Sequence, residues 1–191
     1  MKEIGFSLEL NNCLKALKNG EIILYPTDTV WAIGCDATNN EAVKKIDALK
    51  KRALNDTLIC LVSSQAMLER YVESVPDVAY DIMDLATKPT TIIFDKPKDL
   101  AESLVASDNT IAIRVASDKF CRYVINKFAK PIVSTSANVS GFPTPKNFKA
   151  ISNEILTGVD YVVNLHQEKE NSSPSSIIKL SNNGIVKVIR E

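Results

Sequence analysis

Histidine is nearly absent from this chain. Its one copy, His166, lies in a stretch rich in Glu, Lys, Asn and Ser with no cysteine nearby, which argues against a Ser-His-Asp hydrolase triad and against a mixed Cys/His zinc set. The four cysteines, Cys13, Cys35, Cys60 and Cys121, are far apart and form no C-x-x-C pair. Neither a disulfide framework nor structural zinc is therefore expected, and the thiols read as reduced ones in a cytoplasmic protein. Glycine is sparse at 6 copies, and neither G-x-x-x-x-G-K-S/T nor a strand-borne G-x-G-x-x-G occurs, so neither familiar glycine cradle supports nucleotide binding. Net charge is missing too: 23 Lys plus Arg balance 23 Asp plus Glu, which excludes the global basic field of a dedicated nucleic-acid binder and leaves a local basic patch open. No run reaches the roughly 18 apolar residues of a membrane span, and the N-terminus MKEIGFSLEL has no apolar signal core.

What is present is ordinary globular material. With 191 residues, 45% hydrophobic and 24% charged, the chain is long enough to bury one core, and no linker or repeat divides it, so residues 1–191 are expected to form one domain. Apolar spacing predicts a first helix over 7–20, with Ser7 as its cap and Gly20 at its end. Strands are predicted at 21–25, 57–62, 90–95, 110–115, 131–135 and 159–163. Helices are predicted at 40–51, 64–71, 77–86, around 120–128 and at 148–156. Strands 176–180 and 185–189 close the chain as a hairpin around Asn183-Gly184. This alternation predicts an α/β fold with a mixed parallel and antiparallel sheet, twisted and flanked by helices. The two longest loops, 96–109 and 165–174, read first as surface loops and secondarily as lids.

Three polar clusters follow predicted strands or helices, where ligand sites of α/β sheets form. Tyr25-Pro26-Thr27-Asp28-Thr29 leaves a buried strand, Lys50-Lys51-Arg52 ends a helix, and Pro131 to Gly141 runs a strand into a Ser/Thr/Asn-rich turn. Each has a structural alternative. Lys50 and Arg52 suit the negative end of a helix dipole, the hydroxyls between Ser134 and Ser140 could cap backbone groups, and Asp28 after Pro-Thr suits an Asx-turn more readily than a metal site. Tyr25 and Trp31 read as core or pocket-wall aromatics.

Taken together, the stretches Tyr25-Pro-Thr-Asp-Thr-Val-Trp-Ala-Ile-Gly34, Lys50-x-Arg52, Ile111-Ala-Ile-Arg-Val115 and Pro131-Ile-Val-Ser-Thr-Ser-Ala-Asn-Val-Ser-Gly141 resemble the YrdC-type family of threonylcarbamoyl-AMP synthases, in order and in spacing. The likeness runs from about Glu21 to Arg190 and rests chiefly on Lys50-x-Arg52 combined with Ser136-x-Asn138. It implies a YrdC-like fold with a concave ligand crevice, in the short form without an added C-terminal domain. It also implies synthesis of threonylcarbamoyl-AMP from L-threonine, bicarbonate and ATP with release of pyrophosphate, for threonylcarbamoyladenosine in tRNA.

By the same resemblance Lys50, Arg52, Ser136 and Asn138 form the catalytic tetrad. ATP contacts fall on these four and on Thr110, Thr144 and Arg190, while Thr29, Arg114, Ser134 and Ser175 hold threonine. ATP is a substrate, and magnesium is expected to travel with it, with no metal ligand from the protein. Lys50 and Arg52 are expected to be solvent-accessible in the crevice. A separate threonylcarbamoyl-transfer enzyme would consume the product. The alternative readings are a non-catalytic module for tRNA or double-stranded RNA and a diverged paralogue. The sequence departs from the family pattern at Ala32, Ala53, Asp56-Thr57, Thr87-Lys88 and Ala116-Ser117-Asp118-Lys119, all outside the tetrad.

Overall fold

The computed structural model describes residues 2–51, 58–170 and 173–191. Its elements run α1 (Lys2–Lys18), β1 (Ile23–Tyr25), β2 (Ala32–Gly34), α2 (Asn40–Lys50), β3 (Ile59–Val62), α3 (Gln65–Leu68), α4 (Asp77–Leu85), β4 (Thr90–Asp95), β5 (Thr110–Val115), α5 (Lys119–Phe128), β6 (Ile132–Ser136), α6 (Asn153–Gly158), β7 (Tyr161–Val162), β8 (Ser176–Leu180) and β9 (Val186–Arg190). Among the described residues one sheet orders these strands β7-β1-β2-β6-β3-β5-β4-β8-β9. Pairs β1·β7, β3·β5 and β4·β8 are parallel, and the others are antiparallel. The fold is therefore α/β with a mixed sheet, as expected.

Local chemistry explains most element ends. The α1 helix stops where Gly20 adopts φ +70 and two reversed bonds, Gly20 N–H to the Leu17 carbonyl and Glu21 N–H to the Ala16 carbonyl, close a Schellman turn. Asn39 Oδ1 accepts from the N–H groups of Glu41 and Ala42 to start α2, Ser64 starts α3, and Asp118 starts α5 through Cys121 N–H. In the closing hairpin Gly184 takes φ +82 and donates to the Ser181 carbonyl.

Several expectations need correction. The first helix begins at Lys2, so Ser7 lies inside it and caps nothing. The helix expected over 148–156 is a short 3-10 turn, Phe148–Ala150, and then α6, because Asn147 caps the first and the chain extends at Ile151 and Ser152. Strand β2 was not anticipated: Ala-Ile-Gly has weak strand propensity, and the segment is held by pairing with β1 on one side and β6 on the other. Its Gly34 is required by close approach, since a Cβ there would meet the Val133 carbonyl oxygen at 2.4 Å. Loop 96–109 is no lid. Ala101 N–H donates to the Ala37 carbonyl, Ser103 N–H to Asn40 Oδ1 and Lys98 N–H to the Tyr71 carbonyl, and Leu104 is buried.

All three residues of β1 and all three of β2 are buried, and so are Cys60, Leu61 and Val62 of β3. Successive strand residues point to opposite faces, so the sheet is covered on both sides there. Edge strand β9 is exposed at every position. The site lies between these regimes, where strand ends meet loops.

Candidate active site

A cleft of about 420 Å³, within the range of small-ligand sites, opens where strand ends meet loops. Lys50, Ser136, Asn138, Thr144, Arg190, Thr29, Arg114, Ser134 and Ser175 all line it. These residues come from the end of α2, strands β5, β6 and β9, and the loops after β1, after β6 and before β8, so the chain's separate polar clusters do converge. Arg52 lies outside the described residues, as do Ala53, Asp56 and Thr57. Thr110 is described but is not on the lining. It opens β5, four residues before Arg114, and its hydroxyl donates to Asp108 Oδ1 at 2.6 Å. The sequence reading missed the apolar wall of Val30, Ile59, Phe142 and Ile177. Val30 and Phe142 are single apolar residues in loops, while Ile59 and Ile177 belong to apolar strands, and neither setting separates cleft wall from core.

At one end of the cleft the turn after β6 wraps the end of α2. Lys50 is the last residue of that helix and is only 3% exposed, which corrects the expectation of a solvent-accessible lysine. Its Nζ donates to the Ser136 carbonyl at 2.6 Å and to the Asn138 carbonyl at 2.7 Å, while its own carbonyl accepts from Ser140 N–H at 2.8 Å. The lysine thus grips the turn from side chain and backbone together. Neither a helix-dipole role nor a bare phosphate contact describes that geometry. Asn138 turns its Nδ2 onto the Val139 and Phe142 carbonyls at 3.2 and 2.7 Å. Its Oδ1 is buried without a partner, so the amide's donors are spent on the turn and its acceptor is unmatched. Ala32, one of the departures from the family pattern, lies in register with Ser136.

At the other end Arg114 is held by a side chain and Arg190 by a backbone carbonyl. Arg114 is 3% exposed, and its Nη2 lies 3.0 Å from Asp28 Oδ1. Asp28 Oδ2 accepts from the Ser117 hydroxyl at 2.7 Å and its N–H at 3.4 Å. Asp28 is therefore no Asx-turn former. That work falls to Thr27, whose Oγ1 accepts from Thr29 N–H and donates to the Val30 carbonyl. Across the sheet Thr91, Ile177 and Arg190 stand in one row of register. Arg190 Nε and Nη2 both donate to the Ser175 carbonyl, at 3.0 and 2.8 Å, and the Ser175 hydroxyl meets Thr91 Oγ1 at 2.9 Å. Burial, and then the charge of Arg114, lower the affinity of Arg190 for its proton. Both guanidinium groups line the cleft, so this end of it suits an anion.

Tyr25 is core: its hydroxyl donates to the Val133 carbonyl, and burial pushes its acidity far from the physiological range. Trp31 is core as well, 1% exposed with its ring 4.8 Å from that of Phe148. Exposed His166 is not on the cleft lining. Among the described residues no group of three or more His, Cys, Asp or Glu could hold a metal ion, and no helix is long and apolar enough to cross a membrane. The cleft can therefore bind and orient anionic groups with cations and hydroxyls, and its lining holds no histidine, cysteine or free carboxylate to act as base or nucleophile.

Comparison with known proteins agrees with this picture. The Sua5/YciO/YrdC family model, described as telomere recombination, matches residues 15–191. A threonylcarbamoyl-AMP synthase of Photobacterium profundum is 33% identical over 149 residues, covering 76% of this chain and 80% of that protein. Another, from Wigglesworthia glossinidia brevipalpis, is 32% identical over 186 residues, 95% of this chain and 93% of its own. Among solved structures, P. abyssi Sua5 complexed with L-threonine has a TM-score of 0.80 at 22% identity over 90% of this chain. This chain spans 50% of that longer protein. The likeness establishes a shared fold.

Proposed function

This chain belongs to the Sua5/YciO/YrdC family, and on that premise we propose that it joins L-threonine, bicarbonate and ATP into threonylcarbamoyl-AMP and pyrophosphate. One observation carries the reading: the residues expected for threonine and those expected for ATP, Thr110 and Arg52 aside, line one cleft, with Arg114 at the threonine end, Arg190, expected for ATP, bonded there to Ser175, and a lysine-clamped turn at the other end. Synthesis of this kind needs positioning and charge neutralisation more than acid–base chemistry. The threonine amine adds to the carbon of bicarbonate with loss of water. The resulting carbamate oxygen then attacks the α-phosphorus of ATP as the bond to pyrophosphate breaks.

Arg114 suits the threonine carboxylate, with Thr29, Ser134 and Ser175 hydroxyls around the amine and side chain. Ser136 and Thr144 bring hydroxyls to the nucleotide, with Asn138 beside them on the lining. Lys50 keeps the turn in shape rather than acting as a lone point charge. Magnesium, when bound, neutralises the leaving pyrophosphate. The cationic lining fits an ion that arrives on the nucleotide better than one held by protein carboxylates. The product would pass, in the cytoplasm, to a separate enzyme that transfers the threonylcarbamoyl group to tRNA.

The test is pyrophosphate release from ATP in the presence of magnesium, with mass spectrometry of the adenylate. Release that needs both L-threonine and bicarbonate is the expected result, and silence at saturating substrate sinks the reading. Salt-sensitive retention of double-stranded RNA that ATP does not displace would favour a binding module instead.

A further inference from the structure

Asp28 stands behind Arg114 and outside the cleft. It lines a separate, smaller pocket together with Ser117, Lys88 and Thr90, whereas Arg114 lines the main cleft. A ligand in the cleft can therefore meet Arg114 without meeting Asp28. Three features make the pair more than an incidental contact. Both side chains are largely buried, at 3% and 10% exposure, so their attraction is weakly screened. Both carboxylate oxygens are committed, Oδ1 to Arg114 and Oδ2 to Ser117, which fixes the plane of the acid. Finally, Arg114 Nε is buried with no acceptor, although only one guanidinium nitrogen is taken by Asp28. An N–H without an acceptor, in an arginine that lines a cleft, leaves the guanidinium short of a partner that a carboxylate ligand would supply.

We propose that Asp28 is a positioning residue for carboxylate recognition: it anchors Arg114 from behind, with Ser117 locking the anchor, so that the guanidinium meets the carboxylate of an α-amino acid in the cleft. This rests on the synthase reading for the identity of that amino acid. The anchor fixes direction, which a flexible arginine beside the like charge of Arg190 would not keep unaided. Asp28 is not a catalytic residue, since it lies off the cleft lining and takes no proton from substrate.

The test is L-threonine binding by calorimetry together with steady-state kinetics on wild type, Asp28→Asn and Ser117→Ala. Asp28→Asn keeps the shape and removes the charge. The KM and Kd for L-threonine should rise by roughly tenfold or more while the KM for ATP stays within about twofold, because only the anchored arginine is disturbed. Ser117→Ala removes one hydrogen bond from the anchor and should raise the threonine KM several-fold with the fold intact, which keeps the idea testable if Asp28→Asn does not fold. L-threoninol, which lacks the carboxylate, should bind wild type and Asp28→Asn equally. A general structural defect would weaken both compounds. Unchanged or tighter L-threonine binding in both variants overturns the proposal, as does an equal loss for L-threonine and L-threoninol. Wild type that binds L-threonine while the variants match it overturns the anchor alone; wild type blind to L-threonine overturns the synthase reading and the anchor together.

Discussion

The two ends of the cleft hold positive charge in opposite ways. At the turn end, Lys50 spends its hydrogens on the main-chain carbonyls of Ser136 and Asn138. At the sheet end, Arg114 is held by a carboxylate and leaves an N–H open, while Arg190 grips one carbonyl of the loop before β8. A buried cation bonded to backbone, as Lys50 is, is part of the fold, so its loss disturbs shape, whereas Arg190 makes its backbone bonds from an exposed edge strand. A cation held by another side chain is tied to that partner, so the stability lost with it returns once the partner's charge is removed too, and what stays lost is ligand affinity. The difference separates residues that build the site from residues that read the ligand.

Replacing Lys50 tests the first half of that statement most severely. Lys50→Met keeps the length of the stem and leaves the Asn138 carbonyl without its Lys50 bond; the Ser136 carbonyl keeps one bond from Asn138 N–H. A buried unpaired carbonyl costs about 1–3 kcal/mol, and with the loosened turn the loss of stability should be about 2–4 kcal/mol. For a chain of this size that lowers the Tm by roughly 4–16 °C. Turnover should collapse with it by about a hundredfold or more, since Ser136 and Asn138 are both displaced. A variant that loses turnover with an unchanged Tm would break the comparison.

At the sheet end the corresponding test is a pair of substitutions. Arg114→Gln alone strands the buried Asp28 carboxylate, which typically costs about 3–5 kcal/mol. Adding Asp28→Asn removes that uncompensated charge, so the double variant should regain most of the lost stability by urea unfolding. Binding of L-threonine should stay lost in both. Recovery of stability together with binding would mean that the pair is structural only.

Arg190→Gln should have a smaller effect. The residue is partly buried, and its two bonds to the Ser175 carbonyl can be partly replaced by the glutamine amide. Loss of its charge also relieves Arg114 of a like neighbour. The expected result is a threonine KM several-fold higher with a Tm shift under about 2 °C, because the change lies on an exposed edge strand. A large Tm loss would place Arg190 with the fold-building cations.

How much of this was legible in the sequence follows the same division. The order of strands and helices could be read because β4, β5 and β8 are runs rich in β-branched residues, while α5 carries helical periodicity and an Asp118 cap. Strand β2 could not, since Ala32-Ile33-Gly34 becomes a strand only through neighbours supplied by residues 23–25 and 132–136. The cleft residues could be named from motif resemblance, but not their state. Nothing in Lys50-x-Arg52 says that the lysine is buried against two carbonyls, because those carbonyls lie 86 and 88 residues away. The Asp28–Arg114 pair was hidden for the same reason, and the local turn chemistry pointed Asp28 toward its own backbone. Long-range acceptors are what short motifs omit.

The smallest expected effect is the reactivity of the cysteines, and it can report which end has opened. All four are buried, and burial, helped by the nearby Glu9 carboxylate, raises Cys13 to about 12. Burial pushes Cys60 and Cys121 up as well. A raised thiol pKa keeps the neutral, unreactive form through neutral and mildly alkaline pH. At pH 8 a group with a pKa near 12 is thiolate in only about one part in ten thousand, so alkylation by iodoacetamide should be negligible in the native protein. Cys121 Sγ donates to the Pro26 carbonyl at 3.4 Å, two residues from Asp28, and so sits against the sheet end. If the two ends are independent, Asp28→Asn should let Cys121 label slowly while Cys13, Cys35 and Cys60 stay protected, whereas Lys50→Met should expose all four together as the molecule unfolds. Joint labelling of all four in Asp28→Asn would mean that the sheet end is as deeply built into the fold as the lysine-clamped turn.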